Sequence, residues 1–267
     1  MAVVAFVVFL LGLCIGSFLN VCIWRLPRGE SVVRGRSHCP ACRQTIPWYD
    51  NVPVASLVLL KRRCRFCRAP ISWRYPAVEL LTGLTLAAVV SRWGMTGPAL
   101  TYAALLCSLI VVSFIDAKEQ IIPDVITLPG LGLAILASLV WPALHGTAHR
   151  GWAAGHSLLG ALAGGGSIYL MGVLGRCLFK REAMGGGDVK LMAMLGAVLG
   201  WQRILLAFFI APVFGSVVGV PLRWLRGMEL IPYGPFLSLA AVVALWWGHA
   251  IIARYWHIVG GFACYGI

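Results

Sequence analysis

The sequence predicts an all-α polytopic membrane protein of about eight transmembrane helices with a small cytoplasmic zinc-ribbon-like domain. Three observations carry that prediction. Of 267 residues, 60% are hydrophobic and only 12% are charged, whereas soluble chains carry about 25% charged residues. Eight separate runs are long and apolar enough to be read as spans, the requirement being about 20 residues with a lower limit near 17. One polar segment, 25–75, interrupts them, and it holds two paired cysteine motifs.

The first run, 1–24, could pass for a secretory signal, but its positive charge follows the apolar stretch, at Arg25 and Arg28, instead of preceding it. It reads as a retained helix with its N-terminus outside. The polar segment 25–75 is a domain of its own. A bundle over 76–255 then collects the runs 76–93, 98–115, 125–141, 155–175, 188–201, 203–222 and 235–253, and 256–267 forms a tail. The run 188–201 is short, and the glycines before it would let it begin inside the membrane.

Charge sets the orientation. Eleven Lys/Arg lie between Arg25 and Arg74, which places that segment in the cytoplasm by the positive-inside rule. Threading eight spans from there puts 18 of the 22 basic residues inside, leaving Arg92, Arg150, Arg203 and Arg254 outside. All nine acidic residues fall at or near the inner face. The net charge of +13 therefore describes a basic face on a lipid bilayer and not a nucleic-acid groove.

Cys39-Pro40-Ala41-Cys42 and Cys64-Arg65-Phe66-Cys67, separated by 21 residues, match a four-thiolate zinc ribbon. Cytosolic thiols stay reduced, which favours metal over disulfides. Four thiolates leave no open position for water, so the ion would be structural, closing a domain too small to hold its own core. A redox pair of C-x-x-C motifs is the rival reading, and His38 is a competing ligand. The apolar stretch Pro53–Leu60 is too short to span, and Trp48, Tyr49, Trp73 and Tyr75 suit a domain resting on headgroups. Cys14, Cys22, Cys107, Cys177 and Cys264 read as small packing residues. His145, His149 and His156 give only a weak metal hint.

The acids are the informative residues. Asp116 closes the run Leu100–Ile115, at a helix C-terminus where the dipole disfavours an anion. Asp188 follows Gly185, Gly186 and Gly187, which permit unusual backbone angles and close approach of another segment. A carboxylate at the edge of hydrocarbon is costly and is usually kept for a site. If the two face each other, they cannot both ionise, and the pair can hold one proton. The ionised member would take a proton from water as it attacks a peptide carbonyl. The protonated member would hydrogen-bond the carbonyl oxygen and then protonate the leaving amine. Asp124, after Ile122-Pro123, reads as a helix N-cap or as site support. Glu79 reads as a binder of a cationic substrate group or as a partner of Arg74. Asp50 and Asn51 suit a turn in the cysteine domain. There is no G-x-S-x-G or H-E-x-x-H motif.

In order along the chain, six stretches resemble the bacterial type IV prepilin peptidases, membrane aspartyl proteases with a G-x-G-D motif. They are Gly16-Ser17-Phe18-Leu19-Asn20-Val21 with Arg25-Leu26-Pro27; the cysteine knuckles with Asp50-Asn51-Val52-Pro53 between them; Arg74-Tyr75-Pro76-Ala77-Val78-Glu79-Leu80; Ile115 to Asp124; Gly185-Gly186-Gly187-Asp188-Val189-Lys190-Leu191; and Ile231-Pro232-Tyr233-Gly234-Pro235-Phe236. Val189 departs from the aromatic that the family often carries there. The resemblance implies a bifunctional inner-membrane enzyme. It would cut the short basic leader from prepilins or pseudopilins on the cytoplasmic side, then methylate the new N-terminal amine with S-adenosylmethionine. Asp116 and Asp188 carry over as the catalytic pair, and the four cysteines to the domain associated with methyl transfer. No strand–G-x-G-x-x-G–helix unit supports an adenosyl cofactor independently.

Other readings predict other features. An ion-coupled transporter needs paired charges near the midplane, and the central portions of these runs lack them. A zinc-ribbon adaptor leaves Asp116 and the triple glycine unexplained. A peptidase of this type without methyl transfer is the reading nearest to the first.

Overall fold

The computed structural model describes residues 2–54, 56, 59–180, 184–226 and 232–260. Among them are eight long helices: α1 (Ala2–Arg25), α2 (Arg74–Trp93), α3 (Gly97–Glu119), α4 (Asp124–Val140), α5 (Arg150–Phe179), α6 (Gly186–Leu199), α7 (Trp201–Arg226) and α8 (Gly234–Gly260). No β-strand occurs among the described residues beyond two isolated bridges. Five helices, α1, α3, α5, α7 and α8, are long and apolar enough to cross a membrane. α4 is apolar but has 17 residues. α2 is long enough, but Pro76, Glu79, Thr82, Ser91 and Arg92 dilute its hydropathy. The expectations for Cys264 and for the end of the tail lie outside the described residues, as does part of Pro53–Leu60.

The chain divides into two units, Met1–Ile115 and Asp116–Ile267. In the first, α1 and α2 pack closely because Gly12 and Gly16 remove side chains from the seam. A Cβ at Gly12 would meet the Gly83 Cα at 2.6 Å, and one at Gly16 the Glu79 Cα at 2.6 Å. This small-xxx-small spacing lets apolar helices associate through backbone contact where lipid supplies no hydrophobic drive. At the end of α1, buried Arg25 donates to the carbonyls of Ser31, Arg34, Gly35 and Arg36 and so folds the following loop.

In the second unit α6 is the centre. It packs on α4, α5 and α7 and touches α8. Leu191, Met192, Met194, Leu195, Gly196, Ala197, Val198 and Leu199 are all buried. Fourteen residues rise only about 21 Å, too short for a hydrocarbon core of about 30 Å. Burial by protein removes the need to match lipid. Gly160 and Gly196 make the tightest crossing, since a Cβ on either would meet the carbonyl oxygen of the other at 2.0 Å.

Candidate functional site

Asp116 lies in the last turn of α3, which ends where Gln120 takes a positive φ of 54°. Its side chain is buried, and its Oδ2 accepts a 2.8 Å hydrogen bond from the Gly234 N–H at the start of α8. Asp188 is half-buried in the first turn of α6, where its Oδ2 accepts from the Gly185 N–H at 3.2 Å. Asp116 and Asp188 lie within electrostatic reach of one another, as do Asp188 and the Tyr233 hydroxyl. Burial, and then the Asp188 charge, push that hydroxyl up to about 12. The N-terminal dipole ends of α6 and α8 both meet this cluster, offsetting the unfavourable end of α3.

Of the two roles expected of the glycine run, the structure shows close approach and not unusual backbone angles. Gly185 has φ −78° and ψ 150°, and Gly186 and Gly187 are helical, so none takes a left-handed angle. Close approach is what Gly187 provides. A Cβ there would meet the Ile122 Cβ at 2.9 Å, whereas one at Gly186 would meet nothing. The segment after α3 thus lies against the start of α6, and that contact draws the ends bearing Asp116 and Asp188 together.

For two other acids the local alternative, a helix cap for Asp124 and an Arg74 partner for Glu79, does not hold. Asp124 is the first residue of α4 and not its cap, which is Pro123. Its carboxylate takes the Lys190 ammonium of α6 at 2.8 and 2.7 Å, tying α4 to the turn that carries Asp188. Glu79 does not pair with Arg74. It is buried, accepts from the Val54 N–H at 2.8 Å and interacts with the Ser17 hydroxyl. Arg74 lies over the Tyr75 ring instead.

Cys39, Cys42, Cys64 and Cys67 come together with their sulfurs all within 4.8 Å of one another, the only such metal-competent group among the described residues. Cys39 Sγ and Cys67 Sγ are 3.8 Å apart, and a tetrahedral ion with Zn–S near 2.3 Å separates its sulfurs by about 3.8 Å. The donor set therefore fits. Two matching hairpins build it. Cys39 N–H donates to Gln44 O and Cys64 N–H to Ala69 O, while Arg43 and Arg68 take φ of 58° and 60°. The repeat C-x-x-C-R-x-x-I, from Cys39 to Ile46 and from Cys64 to Ile71, announces this pairing in the sequence. N–H groups of Cys67 and Phe66 bring the Cys64 thiol down to about 7, favouring the thiolate a metal needs. His38 takes a bridge with Thr45 and is no part of the cluster.

Asp50 holds Arg65 in a bidentate pair at 2.6 and 2.5 Å, and that hydrogen-bonded guanidinium keeps its carboxyl below the usual carboxylate range. Trp48 and Trp73 are exposed. His145 stacks on His156, and burial pushes its imidazole down to about 4. It is a neutral packing group.

Residues 10–93 match the Bacterial Peptidase A24 N-terminal domain, and residues 103–220 match the Type IV leader peptidase family. A protein of Aeromonas hydrophila named "Prepilin leader peptidase/N-methyltransferase" is 36% identical over 93% of this chain and 92% of its own. The Pseudomonas aeruginosa protein of that name is 35% identical, covering 94% and 93%. This chain belongs to the type IV leader peptidase family. A Myxococcus xanthus member is 42% identical over 79% of this chain, which spans 61% of that protein's length. No solved structure matches. Asp116 and Asp188 both lie within the matched region 103–220, and Gly234 supplies a contact from beyond it.

Proposed function

We propose that Asp116 and Asp188 are the hydrolytic pair of a prepilin leader peptidase that also N-methylates its product. What supports this is their placement: Asp116 accepts from the Gly234 N–H at the start of α8, and Asp188, at the start of α6, lies within electrostatic reach of Asp116 and of Tyr233. Among the described residues Arg25, Glu79 and Asp116 are the buried charges. Each lies near a helix end, which argues against an ion pathway through the middle of the bundle.

The pair shares one proton because like charges at close range cannot both ionise in a partly dry site. The ionised carboxylate takes a proton from water as the water oxygen adds to the scissile carbonyl. The protonated partner donates a hydrogen bond to the developing oxyanion. Collapse breaks the C–N bond, and the leaving amine gains the proton. The Gly234 N–H fixes one Asp116 oxygen, so the other is presented to substrate. Asp124 and Lys190 brace the turn below Asp188.

The positive-inside asymmetry supports a cytoplasmic site, an outside N-terminus and residence in the bacterial inner membrane, with Asp116, Asp124, Asp188 and Lys190 at one shared face. A basic leader preceding a membrane helix would emerge there. Zinc in the Cys39, Cys42, Cys64 and Cys67 cluster closes the 25–75 domain, consistent with the sulfur spacing. S-adenosylmethionine, when bound, would supply an electrophilic methyl group for the new N-terminal amine.

The test is leader removal from a prepilin, followed by mass spectrometry. Asp116→Asn and Asp188→Asn should each lower the rate by at least about a hundredfold, the lower range for a general acid–base group, with zinc content unchanged. Normal cutting by either variant would remove the assignment.

A further inference from the structure

Tyr233 stands immediately before α8 and is tied to both acids of the pair. The peptide N–H that follows it, on Gly234, donates to Asp116 Oδ2 at 2.8 Å. Its own hydroxyl lies within electrostatic reach of Asp188. The residue is firmly held. Its carbonyl accepts the N–H groups of Phe236 and Leu237, both at 3.1 Å, which anchors it on the first turn of α8. Its ring lies against Gly215 of α7, where a Cβ would come 3.7 Å from Tyr233 Cε2 and 3.7 Å from Phe236 Cδ2. Resting on the reading of Asp116 and Asp188 as the hydrolytic pair, we propose that Tyr233 is a third catalytic residue, whose hydroxyl donates a hydrogen bond to the oxygen of the scissile carbonyl as negative charge develops there.

Other donors around the pair are committed. The Gly234 N–H serves Asp116, and the Gly185 N–H serves Asp188. The Lys190 ammonium serves Asp124, and that of Lys118 serves Glu119. The Tyr233 hydroxyl makes no hydrogen bond among the described residues, and Asp188 acts on it through charge alone. A half-buried phenol normally finds a partner for its O–H. A substrate oxygen at the pair would be that partner.

The chemistry suits a fixed dipole and not a proton carrier. Burial, and then the Asp188 charge, hold the hydroxyl up at about 12, so it stays protonated through the neutral range. It remains a donor whichever carboxyl holds the shared proton. As water adds to the carbonyl, the protonated aspartate gives the oxygen one hydrogen bond and Tyr233 gives it a second. The phenol O–H bond does not break, so the proton balance of hydrolysis stays with the two carboxyls and the water. A donor already in place stabilises developing charge without reorganising. A role acting only through Asp188 has a different signature. A hydroxyl bonded to that carboxylate would favour its charged form, and removing it would move the acid limb of the rate profile to higher pH.

The experiment uses the full chain in lipid nanodiscs and follows prepilin cleavage by mass spectrometry under single-turnover and steady-state conditions. Tyr233→Phe keeps the ring against Gly215 and removes only the hydroxyl. The expected result is a kcat lower by about a hundredfold, the lower range for loss of one oxyanion donor, with KM, melting temperature and the shape of the pH profile unchanged. A second measurement does not depend on turnover. A leader peptide with a difluoroketone at the scissile position hydrates to a tetrahedral diol. It should bind Tyr233→Phe at least about tenfold more weakly than the parent chain, while uncut prepilin binds both equally. A parental kcat, a rise in KM in place of the fall in kcat, an acid limb moved to higher pH, or equal binding of the diol peptide overturns the proposal. If Asp116→Asn and Asp188→Asn abolish cutting while Tyr233→Phe cuts at the parental rate, the tyrosine role alone fails. If the Asn variants cut normally, the hydrolytic pair fails and the tyrosine role with it.

Discussion

Replacing Gly234 by alanine tests the geometry around Asp116 without touching a titratable group. A Cβ at 234 would sit 2.8 Å from Asp116 Oδ2, 3.1 Å from Cγ and 3.2 Å from Cβ, where ordinary contact begins near 3.4 Å. The carboxylate must therefore retreat by about 0.6 Å, because backbone at the start of α8 is stiffer than a side chain. A misplacement of about 1 Å costs on the order of a hundredfold in rate. For this smaller shift the expectation is about tenfold, or roughly 1.4 kcal/mol of transition-state stabilisation. Stability should not follow. Gly234 opens a helix and has no positive φ, and alanine is favoured over glycine in helices by about 0.5–1 kcal/mol. Single-turnover leader cleavage, read by mass spectrometry beside thermal unfolding, separates the two. A tenfold slower Gly234→Ala protein with an equal or higher melting temperature is the expected result. An unchanged rate would refute the placement of Asp116, and a parallel fall in melting temperature would refute the claim that the contact is local.

Three further outcomes are expected. Gly160→Ala must push α5 off α6, since its Cβ would meet Gly196 O at 2.0 Å; overpacking of this kind costs about 3 kcal/mol, visible as a lower melting temperature, while Gly155→Ala, with nothing nearby, should be neutral. The Asp50–Arg65 pair holds the Asp50 carboxyl below its usual 3.8, so its stabilisation is complete above that value and is lost as pH falls through the lower folded one. The melting-temperature gap between the parent chain and Asp50→Asn should be constant near neutrality and close in acid; a gap that widens in acid would reverse the sign argued here. Cys39→Ala with Cys64→Ala should release zinc, measured by elemental analysis, and lower methylation more than cleavage; equal losses would tie the cysteine domain to proteolysis as well.

What the sequence made legible was whatever local composition controls. Apolar runs set the helices, because a backbone in hydrocarbon must satisfy its own hydrogen bonds. The C-x-x-C pairs declared a thiolate cluster, because each knuckle is a single turn. Asp116 and Asp188 stood out because an anion at the edge of hydrocarbon carries a solvation cost. The glycine spacings Gly12–Gly16 and Gly160–Gly164 carry a seam signal that the sequence reading passed over, and only their partners explain the tightness.

The rest was set by contacts between residues far apart in sequence. The Asp116–Gly234 bond joins positions 118 apart, Lys190–Asp124 joins positions 66 apart, and Glu79 finds Val54 rather than its neighbour Arg74. Each depends on which helix ends share a face, and neither propensity nor hydropathy encodes that. The sequence by itself determined membrane residence, the four candidate metal ligands and the candidate acids, because these follow from the chemistry of individual groups. The tertiary structure alone decided which backbone N–H steadies Asp116 and why a glycine at 187, against Ile122, precedes Asp188. Those facts arise from packing, in which a group's energy depends on neighbours that the chain brings in from elsewhere.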